Sequence, residues 1–262
     1  KCYWVKVYDI PEGGRAAKGR AIVNLIGCEP DEKVSAFISV KEFNEDHYVV
    51  MATEKGMVKK TKLSAYSNPR KKGIYAVEIR DGDRLIEARV STGDNDILLG
   101  TRNGKSIRFS EEQIRASGRK TMGVKGITLS SEDDRLVGML LIKREGTVLV
   151  ATEKGFGKRT EISQYRAQKR GGKGVLTMKT TDKVGKMVTI KEVVDKDDLM
   201  IITNQGVLIR LPVAQIRSIG RATQGVKLIK LGEGTLVSSI TRIMSEEEED
   251  ENNNTESTDP KE

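Results

Sequence analysis

The chain has 262 residues, and 46 Lys and Arg against 38 Asp and Glu leave it at +8 with a pI near 9.3. No apolar run approaches the roughly 18 residues of a membrane span. A single histidine leaves no His-rich metal chemistry, and Cys2 and Cys28 lack CxxC spacing, which argues against a zinc site or a disulfide framework. The charge is unevenly placed. Residues 245–262 hold nine acids and one Lys, so residues 1–244 hold 45 bases against 29 acids, a net +16. A basic body with an acidic tail points to a polyanion partner, most often nucleic acid. The start, KCYWVKVYDI, has no signal-peptide pattern and no initiator Met, so the chain reads as a piece of a longer one.

The chain repeats itself. Gly19, Gly73, Gly123, Gly174 and Gly225 share a context and lie 54, 50, 51 and 51 residues apart. A second column, Gly56, Gly104, Gly155 and Gly206, is spaced at 48, 51 and 51. Residues 1–45 form a partial unit, and full units cover about 46–94, 95–145, 146–196 and 197–244. Each full unit opens on a short apolar strand: 48–53, 97–101, 147–152 and 199–203. A polar turn ending in glycine follows, such as Glu54-Lys55-Gly56 or Asn103-Gly104, which is a hairpin signal. Then come a second strand, a loop, a third strand after the column glycine and an acidic or Gly-rich turn. A fourth strand closes the unit (LIEARV, LVGMLL, MVTIKE, LVSSIT). Four short strands per 50-residue period predict an all-β, propeller-like fold of four-stranded blades. Residues 245–262 read as a disordered acidic tail, a polyanion on a tether able to compete with DNA for the basic body.

Two sets of bases stand in columns. Four residues after each turn glycine lie Lys60, Arg108, Arg159 and Arg210, with Lys6 in the same column if counted back from Gly19. Six residues further on lie Tyr66, Ile114, Tyr165 and Ile216. Because the tyrosines alternate with isoleucine, they read as core plugs rather than nucleophiles. The loop before the column glycine is the richer feature. Arg15, Arg119, Arg170 and Arg221 stand four residues before it, and in the second unit Arg70 follows Pro69 at that place. Lys18, Lys71, Lys72, Lys120, Lys169 and Lys173 surround them. One basic loop per blade suits the evenly spaced phosphates of a duplex. Gly171, Gly172 and Gly174 let the backbone approach an anion and aim amides at it. Aromatics make up only 4% of residues, which favours backbone and shape contact with duplex over base stacking on single strands.

The stretch Gln168-Lys169-Arg170-Gly171-Gly172-Lys173-Gly174 resembles the gyrase box, Q-R-R-G-G-K-G. Together with VKVYDIPEGGRAAKGRAIVNL, ATEKGMVKKTKLSAYSNPRKKG and IGRATQGVKLI, it makes residues 1 to about 243 similar to the C-terminal domain of the DNA gyrase A subunit. The resemblance implies a six-bladed β-pinwheel whose blades exchange strands. It implies a basic perimeter that binds, bends and wraps duplex DNA in support of ATP-dependent negative supercoiling. By the same resemblance the partners are the N-terminal cleavage domain of the gyrase A subunit and the gyrase B subunit, in the bacterial cytoplasm at the nucleoid. ATP and Mg belong to the whole enzyme, with no cofactor, metal or catalytic residue in these residues. In that family the defining box lies in the first blade, so the box here is a second copy in the next-to-last blade. Two other readings stand beside this one. One is the C-terminal domain of the topoisomerase IV A subunit, whose box is usually degraded. The other is a protein-binding propeller, against which no Trp-Asp or Gly-His signature recurs.

Overall fold

Runs of aliphatic and β-branched side chains set the central strand of each repeat, and a glycine turn folds the next strand back on it. In the computed structural model, residues 1–14, 17–29 and 32–243 are described. The 46–94 repeat supplies β1 (Tyr48–Thr53), β2 (Met57–Lys62) and β3 (Leu85–Ser91). The next supplies β4 (Asp96–Thr101), β5 (Lys105–Ser110), β6 (Val124–Lys125) and β7 (Leu136–Ile142). Then follow β8 (Thr147–Thr152), β9 (Phe156–Glu161), β10 (Val175–Leu176) and β11 (Met187–Val193). The last repeat supplies β12 (Asp198–Thr203), β13 (Leu208–Pro212), β14 (Val226–Lys227) and β15 (Val237–Ile243). The first, second and fourth predicted strands of each repeat fall on these elements within a residue or two.

The hairpin turns share one construction. The Gly56 amide donates to the Thr53 carbonyl at 3.0 Å, and the same bond closes Thr101–Gly104, Thr152–Gly155 and Thr203–Gly206. The glycines have φ of +84, +83, +77 and +78°, a region side chains rarely adopt. Register shifts at Ala52/Thr53, Gly100/Thr101 and Ile202/Thr203 put the bulge at one place in the repeat.

The third predicted strand is the one that is exchanged, as the family resemblance implies, and does not complete its own repeat's sheet as the repeat pattern alone suggests. It is two residues long and joins the sheet of the preceding repeat. Sheet orders are β3-β1-β2-β6, β10-β5-β4-β7 and β11-β8-β9-β14, while the last is β13-β12-β15, three strands among the described residues. The pairings between these strands are antiparallel, with Val58 opposite Val124, Ser106 opposite Val175 and Gly157 opposite Val226. The cause is the column glycine. A Cβ on Gly123 would stand 2.2 Å from the Val58 carbonyl oxygen, so only glycine lets this segment reach the earlier strand.

The partial repeat follows the same rule. Cys2 bridges Ile74, through Cys2 N–H to Ile74 O at 2.8 Å and Ile74 N–H to Cys2 O at 3.0 Å. Ile74 follows Gly73 as Val124 follows Gly123, so Cys2 takes the place of Val58. Trp4, not Lys6, then falls in the Lys60 column; counting from Gly19 misplaces Lys6 because the first basic loop is two residues longer than the second.

Strand exchange also sets the compact units. One comprises residues 1–95 and 111–126, the other residues 96–110 and those from 127 on. The first has a core of Val49, Met51, Leu63, Tyr66, Ile74, Ala76 and Ala88. The second includes a cluster holding Leu98, Val148, Tyr165 and Met178 and another holding Leu149, Leu199, Ile201, Val213 and Ile216. Tyr66 and Tyr165 are 3% and 1% exposed, as deep as Ile114 at 3% and Ile216 at 2%, so all four plug the core.

Candidate nucleic-acid interface

The base that follows each turn glycine by four residues ties the fold together. Lys60 is buried, 3.1 Å from Glu111, bonded to Gly93 O at 3.0 Å and 4.4 Å over the Tyr48 ring. Arg108 grips Asp96 through Nε at 2.7 Å and Nη2 at 2.6 Å, and its Nη1 donates to the carbonyls of Ile162 and Tyr165. Arg159 is buried, donating to Ile216 O at 2.7 Å and to Asp195. Lys60, Arg108 and Arg159, expected to contact DNA, thus spend donors on carboxylates and carbonyls of the protein, which competes with a phosphate for them. Arg210 makes the same pair with Asp198 at 2.6 Å, but its side chain is 65% exposed and stays at the surface.

The loops before the column glycines place their bases outward. Lys18, Arg70, Lys71, Lys72, Lys120, Lys169, Arg170 and Lys173 are exposed, and Arg119 and Arg221 are half-buried. Arg15 and the acidic tail 245–262 lie outside the described residues.

The box at 168–174 is held from beneath. Gln168 N–H donates to Arg108 O at 2.8 Å. Thr128 N–H donates to Gly172 O at 2.9 Å, and Thr128 Oγ1 donates to Gly171 O at 2.7 Å. In a trans peptide the carbonyl and the next amide point in opposite directions. The Gly172 and Lys173 amides therefore face away from Thr128. Gly174, expected in the anion cradle, also has a structural part. Its Cα lies against β5, where a Cβ would meet Ser106 O at 2.4 Å, so it serves strand exchange.

Within each unit two basic loops are neighbours. In the first, Glu78 N–H donates to Thr121 O at 3.1 Å, and Lys120 lies 5.5 Å over the ring of Tyr75, which follows the loop of Arg70, Lys71 and Lys72 in the chain. In the second, Lys179 N–H donates to Thr223 O at 3.0 Å, and Arg221 sits 6.0 Å from the Tyr165 ring centre. Its Nη1 donates to Leu176 O at 3.0 Å, so Arg221 borders both ends of the box.

The sequence reading missed Lys59 and Lys158, which are 1% and 0% exposed. A signal was present: three residues after the turn glycine, Lys59, Ile107, Lys158 and Ile209 alternate just as Tyr66 and Ile114 do. Burial, helped by Arg119 and Arg221 respectively, pushes each ammonium from the ordinary 10.5 down to about 8. Between those values the unfolded chain binds more protons than the folded one. Stability should therefore rise with pH from about 8 toward 10. Cys2, whose thiol burial pushes up from 9.0, and Tyr66, pushed up to about 12 by burial, oppose this rise above about 9 and about 10 respectively. Urea unfolding at pH 7.5 and 9.5 is expected to show the increment, and a Lys59→Ile/Lys158→Ile variant is expected to lose it.

Repeats of about 50 residues that exchange strands, each donated strand preceded by a basic loop, define an all-β propeller-type protein with a cationic surface. The family described as DNA gyrase C-terminal domain, beta-propeller, matches residues 1–41, 47–92, 95–143, 146–193 and 197–243, and the chain belongs to it. The A subunit of DNA gyrase from Staphylococcus epidermidis is 45% identical over 250 residues, covering 94% of this chain and 28% of the relative. The A subunit of DNA gyrase from Salmonella typhimurium is 42% identical over 243 residues, 93% of this chain and 28% of its own length. The chain thus spans under a third of these relatives. A crystal structure of the C-terminal domain of DNA topoisomerase IV superposes with a TM-score of 0.83 at 25% identity, over 92% of this chain and 76% of that one. A DNA gyrase A C-terminal domain superposes at 0.78 and 23% identity, over 87% and 76%.

Proposed function

We propose that this chain binds, bends and wraps duplex DNA as the C-terminal part of a bacterial DNA gyrase A subunit. The observation that carries the reading is the outward placement of bases on neighbouring loops in a body of net +16. Among the described residues the helical segments are single 3-10 turns of three or four residues. None can lie in a major groove and read base edges, which favours backbone contact without sequence preference. Identities of 42–45% to gyrase A subunits favour gyrase over topoisomerase IV. In the whole enzyme the chain would present duplex to the N-terminal cleavage domain, with the gyrase B subunit supplying ATP-driven strand passage in the cytoplasm. ATP and Mg would act outside these residues. If about six phosphates are neutralised, log affinity against log salt should fall with a slope near about −5. A slope near zero, as for a protein-binding propeller, or preference for one sequence overturns the reading.

A further inference from the structure

Lys59 and Lys158 are buried charges that DNA contact leaves unused, and each bonds the backbone of the next repeat's basic loop. Lys59 Nζ donates to Ala76 O at 2.6 Å and to Arg119 O at 2.5 Å. Lys158 Nζ donates to Gly220 O at 2.6 Å, to Arg221 O and to Thr223 Oγ1 at 3.1 Å. All three ammonium donors of Lys158 go to one basic loop. The two target loops share the pattern Gly-Arg-x-Thr-x-Gly, at 118–123 and 220–225. In each the threonine closes the turn: Thr121 Oγ1 donates to Gly118 O at 2.9 Å and Thr223 Oγ1 to Gly220 O at 3.0 Å.

A strand that needed only packing here would carry an aliphatic residue, because burying an ammonium is costly. The chain contains that alternative. Ile107 fills the same position beneath the box loop, and Gly172 stands where the other two loops have threonine. Ile107 Cδ1 lies 3.4 Å from where a Cβ on Gly172 would be. Lysine and threonine occur together under two loops and are replaced together under the third.

We propose that Lys59 and Lys158 are positioning residues for DNA contact, holding the next repeat's basic loop by its backbone (Lys59 at the Arg119 carbonyl, Lys158 at the Gly220 and Arg221 carbonyls) so that Arg119 or Arg221 is set to meet a phosphate. The box loop, seated on Ile107, takes its support from Thr128 instead. The inference rests on the DNA-binding reading. The alternative is that the lysines merely fill the blade, in which case their loss would act on stability and add to the loss of the arginines.

The test uses the full chain and a plain linear duplex of about 30 base pairs, followed by fluorescence titration at two salt concentrations. Lys59→Ile, Lys158→Ile, Arg119→Ala and Arg221→Ala are compared with the pairs Lys59→Ile/Arg119→Ala and Lys158→Ile/Arg221→Ala. Each lysine variant is expected to weaken binding about five- to tenfold, as its arginine variant does. Each pair should be no weaker than its single members, with the thermal midpoint undiminished. Lys59→Met and Lys158→Met, which keep the unbranched stem, repeat the comparison should the isoleucine variants unfold. Unchanged affinity, or losses that add in the pairs, overturns the positioning role; a wild-type chain that fails to bind the duplex overturns the DNA reading instead.

Discussion

Replacing Lys169, Arg170 and Lys173 together by alanine is expected to weaken duplex binding on the order of 30- to 100-fold near 100 mM salt and to leave folding intact. The three side chains are exposed on one loop whose backbone is fixed by Thr128 and Arg108. They therefore offer charge at little ordering cost. Each phosphate no longer neutralised should also flatten the log–log salt dependence by about 0.9, so the slope should fall by about 2 to 3. Lys143, Lys183 and Lys196 are exposed outside the basic loops and serve as the matched triple. Charge reduction alone would give both triples the same loss. Equal affinities for the two variants would show that the box acts through net charge, not through placement.

A second large effect is expected on stability. Gly174→Ala should cost about 2–4 kcal/mol, because the residue has φ +69° and its Cβ would stand 2.4 Å from Ser106 O. The obstacle is backbone, which cannot rotate aside, so β10 must move off β5. Gly172→Ala, two residues earlier, meets nothing closer than 3.4 Å and has no positive φ, so it should cost less than about 1 kcal/mol. Urea unfolding of the two variants measures the contrast. Similar midpoints for both would mean that the exchanged strand adds little to the fold.

The periodic part of this structure was legible because identical columns recur at a fixed spacing. Strand and turn positions, and the burial of Tyr66 and Tyr165, follow from comparing one repeat with the next. The destination of the third strand was not legible in the repeat pattern itself, and strand exchange came only with the family resemblance. Val124 and Val175 have no local feature that says which repeat they pair with, and the answer depends on backbone approach at Gly123 and Gly174. The exposed loop bases were readable because turn residues and charge coincide there. The burial of the strand bases was not legible because a base on a strand is assumed to find solvent on one face. In β2, residues Val58 to Thr61 are all buried, so Lys59 and Lys60 are enclosed on opposite faces. Alternation cannot separate inward from outward when a strand has no wet side.

Because the first three sheets take their outer strand from the following repeat, the period need not coincide with any single sheet. Removing residues from one point in the sequence to the equivalent point 51 residues later leaves every acceptor strand facing a donor of the same kind. A deletion whose two ends lie at non-equivalent points of the repeat pairs a strand with the wrong partner. Changes in chain length are therefore tolerated in whole steps, and each step adds or removes one basic loop. The stretch of polyanion such a chain can engage is set in increments, like the teeth of a rack, while the chemistry at each tooth is free to drift independently.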